Sequence, residues 1–161
     1  MKFLVDLLGS PLLGALEYRT ADHAFDFTPE RAGDLLARAG PDGTASLALG
    51  TIQLEIGVAT GLVLFAWGYA PRTTWKREAL PTPLLAHGTV CLDSSMELQA
   101  STAVDLPDAY AWTTTYDSGT NWVFVGIRPE VSSVFQIATG IGLVVRDESL
   151  EGIWLQATEQ P

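Results

Sequence analysis

The chain has 161 residues, with nine Lys+Arg against nineteen Asp+Glu, for a formal charge of −10 and a pI near 4.4. Hydrophobic residues make up 47% and charged residues 17%, with a mean hydropathy of +0.20. That is too apolar for a disordered tail, and too charged and glycine-interrupted for a membrane-embedded chain. The length predicts one domain over 1–161 with room for a real core.

The scarcity of Lys and Arg speaks against nucleic acid and anionic membrane surfaces as partners, since both are bound by neutralising phosphates. A net negative field instead attracts basic proteins, or simply keeps an apolar domain in solution. One cysteine, Cys91, excludes an intramolecular disulfide and any multi-cysteine zinc site, which suits a reducing, cytoplasmic setting. The apolar start Met1–Gly9 carries one Lys and is broken by Asp6, so it does not read as a signal peptide. The longest uncharged run, 56–71, holds three glycines and ends at Pro71; a membrane helix needs about 20 apolar residues.

In chain order, the first forty residues read as helical. Ser10-Pro11 offers a hydroxyl cap followed by proline, leading into 12–16. Thr28-Pro29-Glu30 repeats the device, and Ala32, Leu35, Leu36 and Ala39 then fall on one helical face until Gly40-Pro41 ends it. From Thr44 the apolar period becomes two, predicting strands near 44–49, 51–57, 62–69, 88–93, 96–103, 109–116, 121–127, 132–138, 141–146 and 152–157. The expected fold is α+β, mainly antiparallel β. One or two N-terminal helices (1–40) pack on about ten strands (44–158) that close into a barrel or fold into a sandwich. Val58–Leu64 and Ile137–Leu143 echo each other around Thr-Gly, which reads as shared turn chemistry, with duplication as the other option. The proline-bearing stretch 70–87 is the one long connection, a type that is often functional.

The strongest local feature is a hairpin from Tyr110 to Val125. With a three-residue bulged loop at Gly119, Thr114 faces Trp122 and Trp112 faces Phe124. Tyr110, Trp112, Tyr116, Trp122 and Phe124 then share one surface, as core, cavity lining or exposed patch. A loop of two or four residues moves Trp122 and Phe124 to the opposite face. Between Glu78 and Ile127 there is no Lys or Arg but six carboxylates: Glu78, Asp93, Glu97, Asp105, Asp108 and Asp117. They read either as solvated turns or as an acidic face for a basic partner. Glu55 and Glu97 sit mid-strand in the pattern, facing water in a sandwich and a ligand in a polar-lumened barrel.

Catalytic signatures are thin. His23 and His87, with Asp22, Asp26 and Asp93 nearby, lack a close-spaced ligand pair, so no metal is expected. His87 and Cys91 would sit about 13 Å apart on one strand, too far for a thiolate–imidazole pair. Ser94 and Ser95 lack an elbow motif, and Gly140-Ile141-Gly142 lacks the third glycine of a phosphate loop, so no cofactor is expected either. Three readings follow. The first is a non-catalytic binding protein of inhibitor or immunity type for a basic protein, with Tyr110, Trp112, Tyr116, Trp122 and Phe124 as anchors. Asp93, Glu97, Asp105, Asp108 and Asp117 would supply its charge. The second is a small β-barrel holding an apolar small molecule, as carrier or cyclase-like enzyme. The third is a self-associating scaffold subunit.

Overall fold

A computed structural model describes residues 1–161. The chain is mostly β, with strands β1 (Phe3–Asp6), β2 (Gly14–Arg19), β3 (Ala24–Pro29), β4 (Thr44–Leu49), β5 (Ile52–Gly57), β6 (Val63–Tyr69), β7 (Lys76–Arg77) and β8 (Leu85–His87). There follow β9 (Thr89–Leu92), β10 (Ala103–Asp105), β11 (Thr113–Tyr116), β12 (Trp122–Gly126), β13 (Val134–Ala138), β14 (Ile141–Arg146), β15 (Ser149–Gln156) and β16 (Thr158–Gln160). One helix, α1 (Ala32–Ala39), joins β3 to β4. No helix is long and apolar enough to cross a membrane.

Seven strands form a first sheet in the order β10-β4-β5-β6-β3-β2-β16, and seven a second, β7-β11-β12-β15-β14-β13-β8. Neither sheet closes, so the barrel alternative gives way to two open sheets sharing one core. β1 pairs only with β9, as a separate ribbon. The inner strands are antiparallel. All four outermost pairs are parallel, a mixed edge that a pure meander does not anticipate. A cluster of 27 buried residues drawn from both sheets, among them Leu47, Leu54, Val123 and Ile153, fills the space between them.

The N-terminal reading needs correction. Helix formation is confined to 32–39, and the segment expected as a first helix becomes β2. The reason is its period: Leu16 and Tyr18 are buried while Ala15, Glu17 and Arg19 point outward, and Phe25 and Phe27 alternate the same way in β3. Ser10-Pro11 caps nothing; Leu12 bridges Ala138. Likewise 96–103 is turn and irregular chain except for its last residue, although Met96 and Leu98 do pack on the core. The start of 109–116 is a 3-10 turn over Ala109–Ala111.

The two sheets share one blueprint. A hairpin (β2-β3) is followed by a three-strand meander (β4-β5-β6) whose last strand pairs with β3; β11-β12 and β13-β14-β15 repeat this, with β15 on β12. The match extends to register. Tyr18 opposite Phe25 corresponds to Tyr116 opposite Val123, each before a four-residue loop whose last residue, His23 or Asn121, has positive φ. Two-residue turns join β4 to β5 and β13 to β14, and a bulge interrupts each meander between Glu55 and Ile56, or Val144 and Val145. Each repeat then sends its next strand to the other sheet: β7 lies beside β11 and β16 beside β2. The Thr-Gly echo in the sequence falls on non-equivalent turns, β5–β6 and β13–β14, and so does not mark this repeat.

The long connection after β6 is a strap. Residues 78–84 cross the outer face of the second sheet from β7 to β8, and Leu80 and Leu85 close a second cluster over Trp122, Phe124, Val134, Val144 and Trp154. Burying one such leucine contributes roughly 1.5–3 kcal/mol. Gly126 and Gly152 pair directly, and a Cβ on either would lie 2.5 Å from Phe124 Cζ. Their bare backbones form the trough in which that ring lies. Gly152→Ala should therefore destabilise by about 1–3 kcal/mol through overpacking, lowering Tm by roughly 2–12 °C in a chain of this size. Calorimetry that finds Tm unchanged or raised would contradict this packing.

Candidate functional site

The hairpin register separates the five rings. Thr115 stands opposite Phe124 and Tyr116 opposite Val123, so the loop has four residues and Asn121, not Gly119, takes the positive φ of 59°. This corrects the three-residue alternative. Trp112 and Tyr116 face the main core with Val123 and Val125, while Trp122 and Phe124 turn to the other face beneath the strap. Trp122 is 6% and Phe124 1% exposed, so neither reaches a partner in this conformation.

Tyr116 joins a cage that sequence reading did not assemble. The Arg72 guanidinium lies over Tyr18, Trp75 and Tyr116, at 4.6, 5.4 and 5.6 Å from their ring centroids, and pairs with Glu159. Phe25 stacks on Trp75 at 5.8 Å. Arg72 comes from the 3-10 turn after β6, and Glu159 from β16, so the cage ties the two exchanged connections together. Each such cation–ring contact is worth about 0.5–2 kcal/mol. Free space beside the guanidinium is only about 10 Å³, room for one water. The Arg72 Nε and Trp75 Nε1 donors are buried without protein acceptors there. Burial pushes the Tyr18 phenol above its ordinary pKa, with Arg72 pulling the other way, and its hydroxyl donates to the Ala70 carbonyl at 2.9 Å. Arg72, Lys76 and Arg77 are close neighbours of Trp75 along the chain, but only the fold brings rings of both halves around Arg72.

The remaining aromatics line an open groove of about 200 Å³ between the sheet ends. Its walls include the Gly50-Thr51 turn, Pro71, Thr74 and Trp112, with Tyr110 at its lip, 85% exposed. Asp108 is exposed one residue before groove-lining Ala109. Exposed Asp105 pairs in register with Ala48, next to groove-lining Leu49. The acidic residues thus divide. Asp105 and Asp108 flank the groove. Asp93 and exposed Glu97 lie at the other end of the β4 edge, where Asp93 borders a concavity formed with the β5–β6 turn. Asp117 belongs to neither: its carboxylate accepts from the Leu80 and Gly119 backbone N–H groups at 3.0 and 2.8 Å, pinning the strap to the hairpin loop.

Glu55 sits on the outer face of the first sheet, where its Oε2 accepts from Ser46 Oγ at 3.1 Å and Trp67 Nε1 at 2.9 Å. Glu97 lies outside any strand. Cys91 is half-buried in β9, and burial, helped by Asp6, pushes its thiol pKa up, away from nucleophilic use. His87 is placed in β8 and His23 in the β2–β3 loop against Tyr69. No protein-family model matches the chain, and no curated protein sequence is significantly similar to it.

The two N–H groups on Asp117 hold its pKa below the ordinary aspartate value. Because the folded pKa is the lower one, the stabilisation is complete above the ordinary aspartate value and is lost as pH falls through the folded one. In a denaturant series from pH 6 to about 2, wild type should lose stability more steeply at the acid end than Asp117→Asn. Parallel curves would show that the carboxylate does not pin the strap.

Proposed function

We propose that this chain is a non-catalytic acidic binding protein, of the inhibitor or immunity type, that recognises a basic protein partner through the groove beside Tyr110. The observation that carries the proposal is the pairing of an 85% exposed tyrosine with a concave groove and two exposed carboxylates, Asp105 and Asp108. Tyr110, Asp105 and Asp108 belong to a stretch of fifty residues, 78–127, without one Lys or Arg. Tyrosine at the lip of a groove supplies a large, rigid anchor at low entropic cost, and the surrounding negative field steers a cationic surface into register.

Two features favour this over the other readings. Side chains fill the space between the sheets, so an apolar ligand has no lumen to enter. Both sheets end in strands of two or three residues, β7, β8, β10 and β16, which leave little backbone for edge-to-edge association of a scaffold.

The test begins with cross-linked capture of partners from native lysate, followed by titration of each identified protein against the full chain. Support would be a basic protein whose affinity falls with salt and drops about tenfold or more in Tyr110→Ala, the loss expected for an anchor residue. Asp108→Asn should mainly slow association. Capture of acidic or neutral proteins alone, or a basic one indifferent to Tyr110, would overturn the proposal.

A further inference from the structure

The outer faces of the two sheets are built alike and finished differently. By register, Trp67 opposite Gln53 in the first sheet corresponds to Trp154 opposite Gly142 in the second. Trp154 is wholly buried in the cluster that the strap closes, whereas Trp67 is only half-buried; the helix that carries the chain from β3 to β4 passes at the end of the sheet, beside the β5–β6 turn.

A straight row of residues runs across that uncovered face. Thr158 stands opposite Glu17, Glu17 opposite Asp26, Trp67 opposite Gln53, Gln53 opposite Ala48, and Ala48 opposite Asp105. Pairing of Ala24 with Tyr69 and Phe25 with Gly68 continues to place Asp26 beside Trp67. Glu55 lies two residues beyond Gln53 on the same face of β5, its Oε1 free of hydrogen bonds. The face therefore carries four carboxylates about a central indole. Its one cation is Arg19, exposed and 2.8 Å from Asp26.

We infer that this face binds an extended cationic segment of a protein partner, laid across the strands from Asp105 to Glu17 with a guanidinium over Trp67. The inference rests on the binding reading above and adds a second surface and a class of segment to it. The strap shows the geometry. The eight steps from Arg77 to Leu85 reach about 29 Å when fully extended, matching about 29 Å across seven strands. The six strands from β10 to β2 span about 24 Å, so eight residues, about 25 Å when fully extended, suffice. The chemistry differs as the faces do: an apolar strap suits Trp122, Phe124 and Trp154, and a basic one suits Glu17, Asp26, Glu55 and Asp105. Stacking of a guanidinium on an indole flanked by carboxylates combines two attractions that segments without arginine cannot make.

The probe is a nine-residue peptide alternating arginine and glycine, titrated against the full chain at about 50 mM salt, where surface charge pairs are weakly screened. Glu17→Gln/Glu55→Gln, which keeps a side-chain acceptor for Trp67 and Ser46, is compared with Asp93→Asn/Glu97→Gln, which removes the same charge elsewhere. The expected result is at least fivefold weaker binding for the first variant, less than twofold for the second, and a shifted Trp67 indole resonance in wild type. Equal losses would show that the peptide reads only net charge. That result, an unmoved Trp67 signal or no binding by wild type would each overturn the inference. The groove is tested by the captured partner and the sheet face by this peptide and the Trp67 signal, so the two succeed or fail separately.

Discussion

Each half of the chain finishes its longest antiparallel run and then crosses over to edge the sheet of the other half. β7 leaves the first repeat to lie beside β11, and β16 leaves the second to lie beside β2. Neither sheet is complete without the other repeat. The two registers that fix everything else, Tyr18 opposite Phe25 and Tyr116 opposite Val123, lie next to these crossings. Arg72 sits at that junction, its charge shared between rings of both halves and the Glu159 carboxylate. In water an exposed pair of this kind is worth little. Enclosed by Tyr18, Trp75 and Tyr116, the same guanidinium becomes a fastener between repeats, and its tight enclosure explains why the cage offers no ligand room.

From that shared frame the halves diverge only in what leaves the sheets. Fifteen residues separate β6 from β8, and the last seven of them, 78–84, cross the second sheet's outer face, whereas β15 passes to β16 through Ala157 alone. The second sheet can therefore carry Trp122, Phe124 and Trp154 outward and still bury them, at the cost of glycines at 126, 142 and 152 that make room for the rings and the strap. The first sheet has no such cover and remains polar and acidic outside. A loop-length difference thus decides which face is core and which is surface.

Much of this architecture is written in local pattern. The helix over 32–39, the strands from Thr44 to Tyr69 and those from Val134 to Gln156 all follow from apolar spacing, because one face of each is buried and period alone distinguishes them. The N-terminal strands were hidden by Ser10-Pro11, which imitates a helix cap while the period-two alternation of Leu16, Tyr18, Phe25 and Phe27 lies further on. The hairpin shows a sharper limit. Composition fixes that Tyr110–Val125 turns back on itself, yet one residue of loop length inverts the second strand. Asn121, a residue that tolerates positive φ as glycine does, competes with Gly119 for the turn, and side-chain identity cannot arbitrate between them. The repeat was invisible because its register is conserved while its residues, Tyr18/Tyr116 and Trp67/Trp154 apart, mostly are not.

The carboxylates illustrate the same division between chain and space. In sequence, Asp93 through Asp117 form one acidic run. In the fold, Asp117 is spent on two backbone N–H groups, Asp93 and Glu97 cluster at one end of the β4 edge, and Asp105 and Asp108 flank an aromatic groove at the other. Glu17, Asp26 and Glu55, scattered over forty residues, meanwhile converge on one sheet face with Asp105 at its margin. Net charge of −10 sets the long-range field and hence the sign of any partner it attracts. Only those carboxylates that keep an oxygen without an internal donor, next to Tyr110 or Trp67, can convert that attraction into contact, because a desolvated charge must meet a counter-charge and a ring must meet something flat. Both surfaces satisfy that condition, and Asp105 is the residue that lies between them.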